Sequence, residues 1–174
     1  MEYYNLSKNF YKVSGLINIK NRVGGLMSEE IVGAAFPIPK PLIGRILDKH
    51  KNIFVKPATL TRLEKGMKII LYASREDQGF YGEAEIEEVE FFENPMKILE
   101  KYKDGLFLTE EEFKEYLKFS EKWGSDKKRK KPWMVIVLKN IKKYPKIVKP
   151  KRFVPVCGKY IKEKEYEEIL KNIQ

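Results

Sequence analysis

Histidine and cysteine are nearly missing from this chain, which holds one of each, His50 and Cys157. Zinc centres built on these residues need several of them, so no metal ligand set is expected, and nothing points to a cofactor. A Ser-His-Asp or Cys-His nucleophile system would have to use His50 itself. That residue stands in Asp48-Lys49-His50-Lys51-Asn52, which reads as a helix end running into a turn, where a cation is favourable. One cysteine makes no internal disulfide, which fits a reducing compartment. Also missing is any run of about 20 uninterrupted apolar residues, the length a membrane helix needs. The first residues mix polar and aromatic side chains instead of placing charge before an apolar stretch, so no secretory signal is expected. A cytoplasmic protein without a membrane partner is the expectation.

What is abundant is charge, and its distribution matters more than its amount. The 174 residues carry a formal net charge of +10. Between Lys118 and Arg152 fourteen Lys or Arg face only two acids, Glu121 and Asp126, while the remainder of the chain sums to −2. Such concentration in one stretch is the footprint expected of a polyanion partner. Heat-adapted composition enriches Lys and Glu together, but it does not sort them along the chain. At 43% hydrophobic residues the chain suits a globular domain with one core of ordinary size.

Residues 1–26 have no clear period and end in the Gly-rich stretch Asn21 to Leu26. They read as an N-terminal extension before a domain over 27–174. Two alternatives stand: Met27 is the natural start, or Phe10 to Ile19 forms a genuine strand. Ile31 to Phe36 reads as a buried strand, Pro41 opens a helix with Leu42, Ile43, Ile46 and Leu47 on one face, and Ile53 to Val55 is a second strand. Glu64-Lys65-Gly66 is a turn before the β-prone run Met67 to Ala73. Phe80 to Phe92 alternates like a strand with one solvated face. Asn94-Pro95 starts one helix, and Thr109 with Glu112 forms a capping box for the next. Trp133 to Leu138 is the most apolar strand, residues 142–156 are basic and extended, and Glu163 to Ile173 is an amphipathic helix. Five or six short mixed strands with helices between them predict an α+β fold, a small closed or half-closed β-barrel with flanking helices.

The succession Lys56-Pro57-Ala58-Thr59, Leu63 through Gly66 to Ser74, and Gly82-Glu83-Ala84-Glu85-Ile86 resembles the core of PUA-like domains, nearest the ASCH and EVE groups. The stretch 27–174 is also similar to an archaeal PUA-like family of unknown function. The resemblance implies a pseudo-barrel and a cleft between barrel and helices, which relatives use for RNA or modified bases. The Glu-x-Arg pair typical of ASCH members before the Leu-x-x-Gly turn is missing; Lys56 and the nearby hydroxyl of Thr59 remain.

The candidate nucleic-acid-binding residues are Lys56, Tyr72, Ser74, Arg75, Trp123, Lys127, Lys128, Arg129, Lys130 and Lys131. A lysine run gives affinity through counterion release, arginine grips phosphate and an aromatic ring stacks a base. Each has a plainer reading beside it. Lys56 could be a solvated strand-end lysine, Tyr72 core, Arg75 a partner of Glu76 or Asp77, and the lysine run a solvated loop. RNA or a nucleotide, in plain or modified form, is therefore the expected partner. A second expectation follows from the resemblance: an ASCH-type amidohydrolase acting on an acylated nucleoside, with Lys56 and Thr59 as its catalytic pair and Glu83 or Glu110 to Glu112 supplying a carboxylate.

Overall fold

The computed structural model describes residues 30–123 and 131–174, excluding the side chains of 122 and 123. The extension 1–26, the Met27 start, the ring of Trp123, and Lys127, Lys128, Arg129 and Lys130 lie outside the described residues. Six strands are formed in chain order: β1 (Ile31–Ile38), β2 (Ile53–Pro57), β3 (Lys68–Ala73), β4 (Gly79–Phe92), β5 (Trp133–Val148) and β6 (Lys159–Lys162). The helices are α1 (Lys40–Leu47), α2 (Met96–Tyr102), α3 (Glu110–Trp123) and α4 (Glu163–Ile173). All six strands form one mixed sheet in the order β2-β5-β4-β3-β1-β6, in which β1 and β3 pair in parallel and the other neighbours antiparallel.

Local chemistry accounts for the helix starts. The Thr109 hydroxyl accepts from the Glu112 N–H at 3.2 Å, and the Glu112 carboxylate accepts from the Thr109 N–H at 2.8 Å, a reciprocal capping box. Asn94 Oδ1 accepts from the Met96 N–H at 3.0 Å. After α1 the chain turns through His50, whose φ is 51°, and the Lys51 N–H returns to the Arg45 carbonyl at 3.1 Å.

Period-two alternation divides the apolar residues between two cores. Ile69 and Leu71 of β3 join Phe36, Ile86 and Ile136 under Ile43, Ile46, Ile98 and Phe113 from α1, α2 and α3. Ile70 and Tyr72, pointing the other way, join Phe80, Tyr144 and Val148 under Ile169 of α4. The second core corrects two expectations. The predicted solvated face of β4 is covered at Glu83, 6% exposed, because Tyr144 and Tyr166 donate their hydroxyls to its carboxylate at 2.7 Å and 2.9 Å. Burial and this carboxylate both push the two tyrosines up in pKa, so they stay protonated donors. The strand predicted to stop at Leu138 runs on to Val148, since Tyr144 and Val148 are buried in the second core while Lys142, Lys143 and Lys146 stay exposed. Asn140, at φ 50°, lies close to a register shift between β4 and β5, the kind of irregularity that bends so long a pair.

Two glycines of the PUA-like pattern prove to be structural. Gly66 has φ 91°, a conformation glycine adopts freely, and its N–H donates to Ile86 at 2.8 Å. A Cβ on Gly82 would stand 2.5 Å from the Lys142 carbonyl oxygen and 2.8 Å from Leu47, so β5 could not lie as close.

The sheet does not close by backbone pairing, and β2 and β6 are its edges. Side chains bridge them. Lys56 Nζ and Thr59 Oγ1 both donate to the Cys157 carbonyl, at 3.2 Å and 2.8 Å. Phe36 lies beneath the Lys56 ammonium, 4.1 Å from nitrogen to ring centroid. The Arg62 N–H donates to the Tyr160 hydroxyl at 3.0 Å. Lys56 is only 7% exposed, and burial, with some help from the nearby charge of Lys131, lowers its pKa from 10.5 to about 8.

The sign of this shift makes a prediction. Between pH 8 and 10.5 the unfolded chain holds a proton that the folded chain has lost, so stability rises with pH through that window. Below it the cost of burying the ammonium is present in full, at most about 3 kcal/mol. Lys56→Met is therefore expected to match or exceed the parent in stability at pH 7, with the difference moving in the parent's favour by pH 10.5. Urea titrations across that range check it; a difference independent of pH would contradict it.

Candidate nucleic-acid interface

The C-terminal end of β3, the start of β4 and the end of β5 meet at one corner of the sheet, where Tyr72 pairs with Phe80 and Phe80 with Val148. The loop joining β3 to β4 is tied to itself: Gln78 Nε2 donates to the Ser74 carbonyl at 2.9 Å, and the Tyr81 hydroxyl to the Asp77 carbonyl at 2.8 Å. Asp77 also pairs with Lys40 at 2.5 Å. This pair holds the Lys40 pKa up and the Asp77 pKa down. Lys149, just past β5, donates to the Gln78 carbonyl at 2.7 Å and so joins the two loops. Between them lies a groove of about 270 Å³ lined by Tyr72, Gln78, Lys149, Lys151, Arg152 and Phe153, with Pro150 at its wall.

Three kinds of group converge there. Tyr72, 3% exposed, forms the floor with its ring edge-on to Phe80 at 5.6 Å. The three cations come from the end of the basic segment. Phe153 stands out at 76% exposure. Lys151 pairs with Glu168 of α4 at 3.0 Å, while Arg152 makes no ion pair among the described residues. Arg75, exposed in the adjoining loop, makes none either: Asp77 goes to Lys40 instead.

Cations sorted along the chain are only partly sorted in space. Lys139 pairs with Glu85 at 3.3 Å and Lys143 with Asp48 at 3.2 Å, so acids from outside the basic stretch neutralise some of it. Lys142, Lys146 and Arg152 keep their charge toward solvent. Lys131, exposed at the end of the basic run, lies near Lys56.

The remaining sequence candidates form a separate group. Lys56 and Thr59 share the Cys157 carbonyl in the clasp between the sheet edges. Lys56 is thus not a solvated strand-end lysine. Of the carboxylates considered for it, Glu83 is engaged with Tyr144 and Tyr166, Glu110 with Lys114 at 2.7 Å, and Glu112 with both terminal nitrogens of Arg45 at 2.5 and 2.8 Å, while Glu111 is exposed on α3. The Arg45 guanidinium holds the Glu112 pKa down to about 2. Trp133 is core, its ring 5.9 Å from Phe113 and 5.3 Å from Tyr116. Residues 149–158 connect the two groups, since the loop that lines the groove continues to Cys157. Gln78 and Phe153 escaped the sequence reading. The signal available for Phe153 was Pro150-Lys151-Arg152-Phe153-Val154-Pro155, an aromatic among bases between two prolines.

Among the described residues no group of three or more His, Cys, Asp or Glu is placed to hold a metal ion, and no helix is long and apolar enough to cross a membrane.

Comparison with known proteins places this architecture. The ASCH protein of Zymomonas mobilis is similar with a TM-score of 0.66 at 13% identity, over 80% of this chain and 94% of that one. A hypothetical protein from Leishmania major is similar at 0.50 and 15% identity, over 83% and 95%. At these identities the likeness is one of fold, the α+β PUA-like fold that the sequence resembled. An uncharacterized protein of Methanocaldococcus jannaschii, MJECS03, is 79% identical over 108 residues, 62% of this chain and 100% of that one. Residues 31–163 match the model of a family described as domain of unknown function DUF365. That match runs from the first residue of β1 to the first of α4, and the chain belongs to the DUF365 family, with an ASCH-like fold.

Proposed function

We propose that this chain is an RNA-binding PUA-like module whose ligand docks in the groove beside Tyr72. The observation that carries the reading is the meeting of Lys149, Lys151, Arg152 and the exposed ring of Phe153 at one concave place. Phosphate is met by the cations, and a concave wall gives a nucleotide something to lie against. Lys142 and Lys146, both exposed on β5, extend the positive charge, and the lysine run before Trp133 adds a sequence-independent contribution. Arg75, in the loop that supplies Gln78 and with no acid partner among the described residues, acts in this reading on which RNA is preferred.

Counterion release supplies the test. If about five phosphates are neutralised, log affinity falls against log salt with a slope of roughly −3 to −4 on single strands. Replacing Lys142, Lys146 and Arg152 by Ser should weaken binding to all RNAs and reduce the slope by about 2. Arg75→Ala should leave the slope nearly unchanged and alter the ranking of RNAs. Salt titrations monitored by fluorescence anisotropy measure both. Weak binding that ignores all four changes would end the assignment.

A second reading is favoured by one observation, the burial of Lys56 with its pKa at about 8. A nucleophilic lysine needs such lowering, and at pH 7 about a tenth of it is neutral amine. Thr59 lies on the same carbonyl, as a paired hydroxyl would. In this reading the chain removes an acyl group from a nucleoside. Turnover of acylated cytidine should then rise with pH toward about 8 and vanish in Lys56→Ala and Thr59→Ala. Absence of turnover by the folded parent across a panel of acylated nucleosides removes this reading.

A further inference from the structure

We infer that Phe153 is a stacking platform for one unpaired nucleotide, which makes single-stranded RNA the ligand of the groove; the inference rests on the RNA-binding reading above. Among the described residues, the other rings at this corner are covered, and Tyr81 is half-buried against the first core. Tyr72 is 3% exposed and edge-on to Phe80, Phe80 is 1% exposed, and Trp133 is 7% exposed between Phe113 and Tyr116. Phe153 is 76% exposed, an unusual state for a ring that folding gains by burying.

Its neighbours hold it there. Val154, 2% exposed, is anchored in the core beneath α4, and Pro155 after it favours an extended backbone, in which adjacent side chains point to opposite sides. Pro150 and Pro155 bracket the segment and restrict its backbone. The ring is thus presented outward by an anchored, stiffened loop, so little ordering remains to be done on binding. Arg152 precedes it, and Lys149 is fixed on the Gln78 carbonyl at 2.7 Å, so cations flank the ring. This charge favours an anionic ligand over an apolar peptide.

Size and stacking then select the strand. At about 270 Å³ the groove is just under the ~300 Å³ at which ordinary ligand sites begin. It suits a single base or nucleotide. A base inside a duplex is already stacked on both faces and offers no free face to the ring, whereas unpaired bases are read by stacking on aromatic side chains.

The test measures binding of a ten-nucleotide single strand, the same length of abasic ribose-phosphate, and the annealed duplex, to the full chain and to Phe153→Leu. Because the ring is exposed, the leucine variant keeps the fold, which its circular dichroism verifies. Loss of stacking is expected to weaken the base-bearing strand at least about fivefold. The salt slope and affinity for the abasic strand should stay unchanged, and duplex should bind the parent more weakly than the single strand. Phe153→Trp should bind as the parent does. Equal affinity of Phe153→Leu and parent for the base-bearing strand, or an equal loss on the abasic strand, overturns the stacking role while the RNA reading survives. If the parent binds neither strand nor duplex, the RNA reading falls and takes this inference with it.

Discussion

The two edges of this sheet meet at one buried lysine. Lys56 gives up most of its hydration to lie on the Phe36 ring and donate to the Cys157 carbonyl, with Thr59 as second donor to the same oxygen. Burying a charge without a carboxylate beside it is costly, and the drop of its pKa to about 8 reflects that cost. In return the end of β2 is tied to the loop before β6, and that loop begins as the wall of the groove. The position of Lys149 to Phe153 thus depends at one end on β5 and at the other on the clasp. Lys56, Thr59 and the Tyr160 hydroxyl thus bridge edges that backbone pairing leaves open.

The features that make the chain resemble PUA-like domains mostly serve this architecture. Gly66 turns the chain into β3, Gly82 lets β5 approach, and Tyr72 fills the core beneath α4. Their physical role explains why the pattern points to a fold and leaves function open, since many activities share one fold. The proposed groove lies on a corner loop, and loops held by a rigid scaffold are where proteins in general concentrate binding residues.

Much of the fold was legible because local and global signals agree. Thr109 and Glu112 form the capping box that their spacing announced, and Ile43, Ile46 and Leu47 are buried on one face of α1. The run from Glu163 to Ile173 is helical as its period predicts. Illegible was everything decided by long-range covering. Glu83 looks like a solvent-facing strand residue until α4, eighty residues on, lays Tyr166 over it. β6 is a four-residue edge strand with too little length for a pattern. The continuation of β5 through Lys142 and Lys143 defies apolar alternation because only Tyr144 and Val148 are buried there.

The site was legible in its chemistry and less so in its grouping. The basic segment and the β3 end were both singled out, yet only the bend of the chain at Lys151 and Arg152 brings these cations and Lys149 to Tyr72. Charges counted along the sequence were partly cancelled in space by Asp48, Glu85 and Glu168. What remains is a corner with cations, an exposed ring and a small concavity. Hydrogen exchange of the full chain with and without a saturating single-stranded RNA tests this assignment most directly. The account predicts slowed exchange in residues 74–78 and 149–154 with little change in α2 and α3. Protection confined to those helices, or none at either loop while RNA is bound, would contradict it.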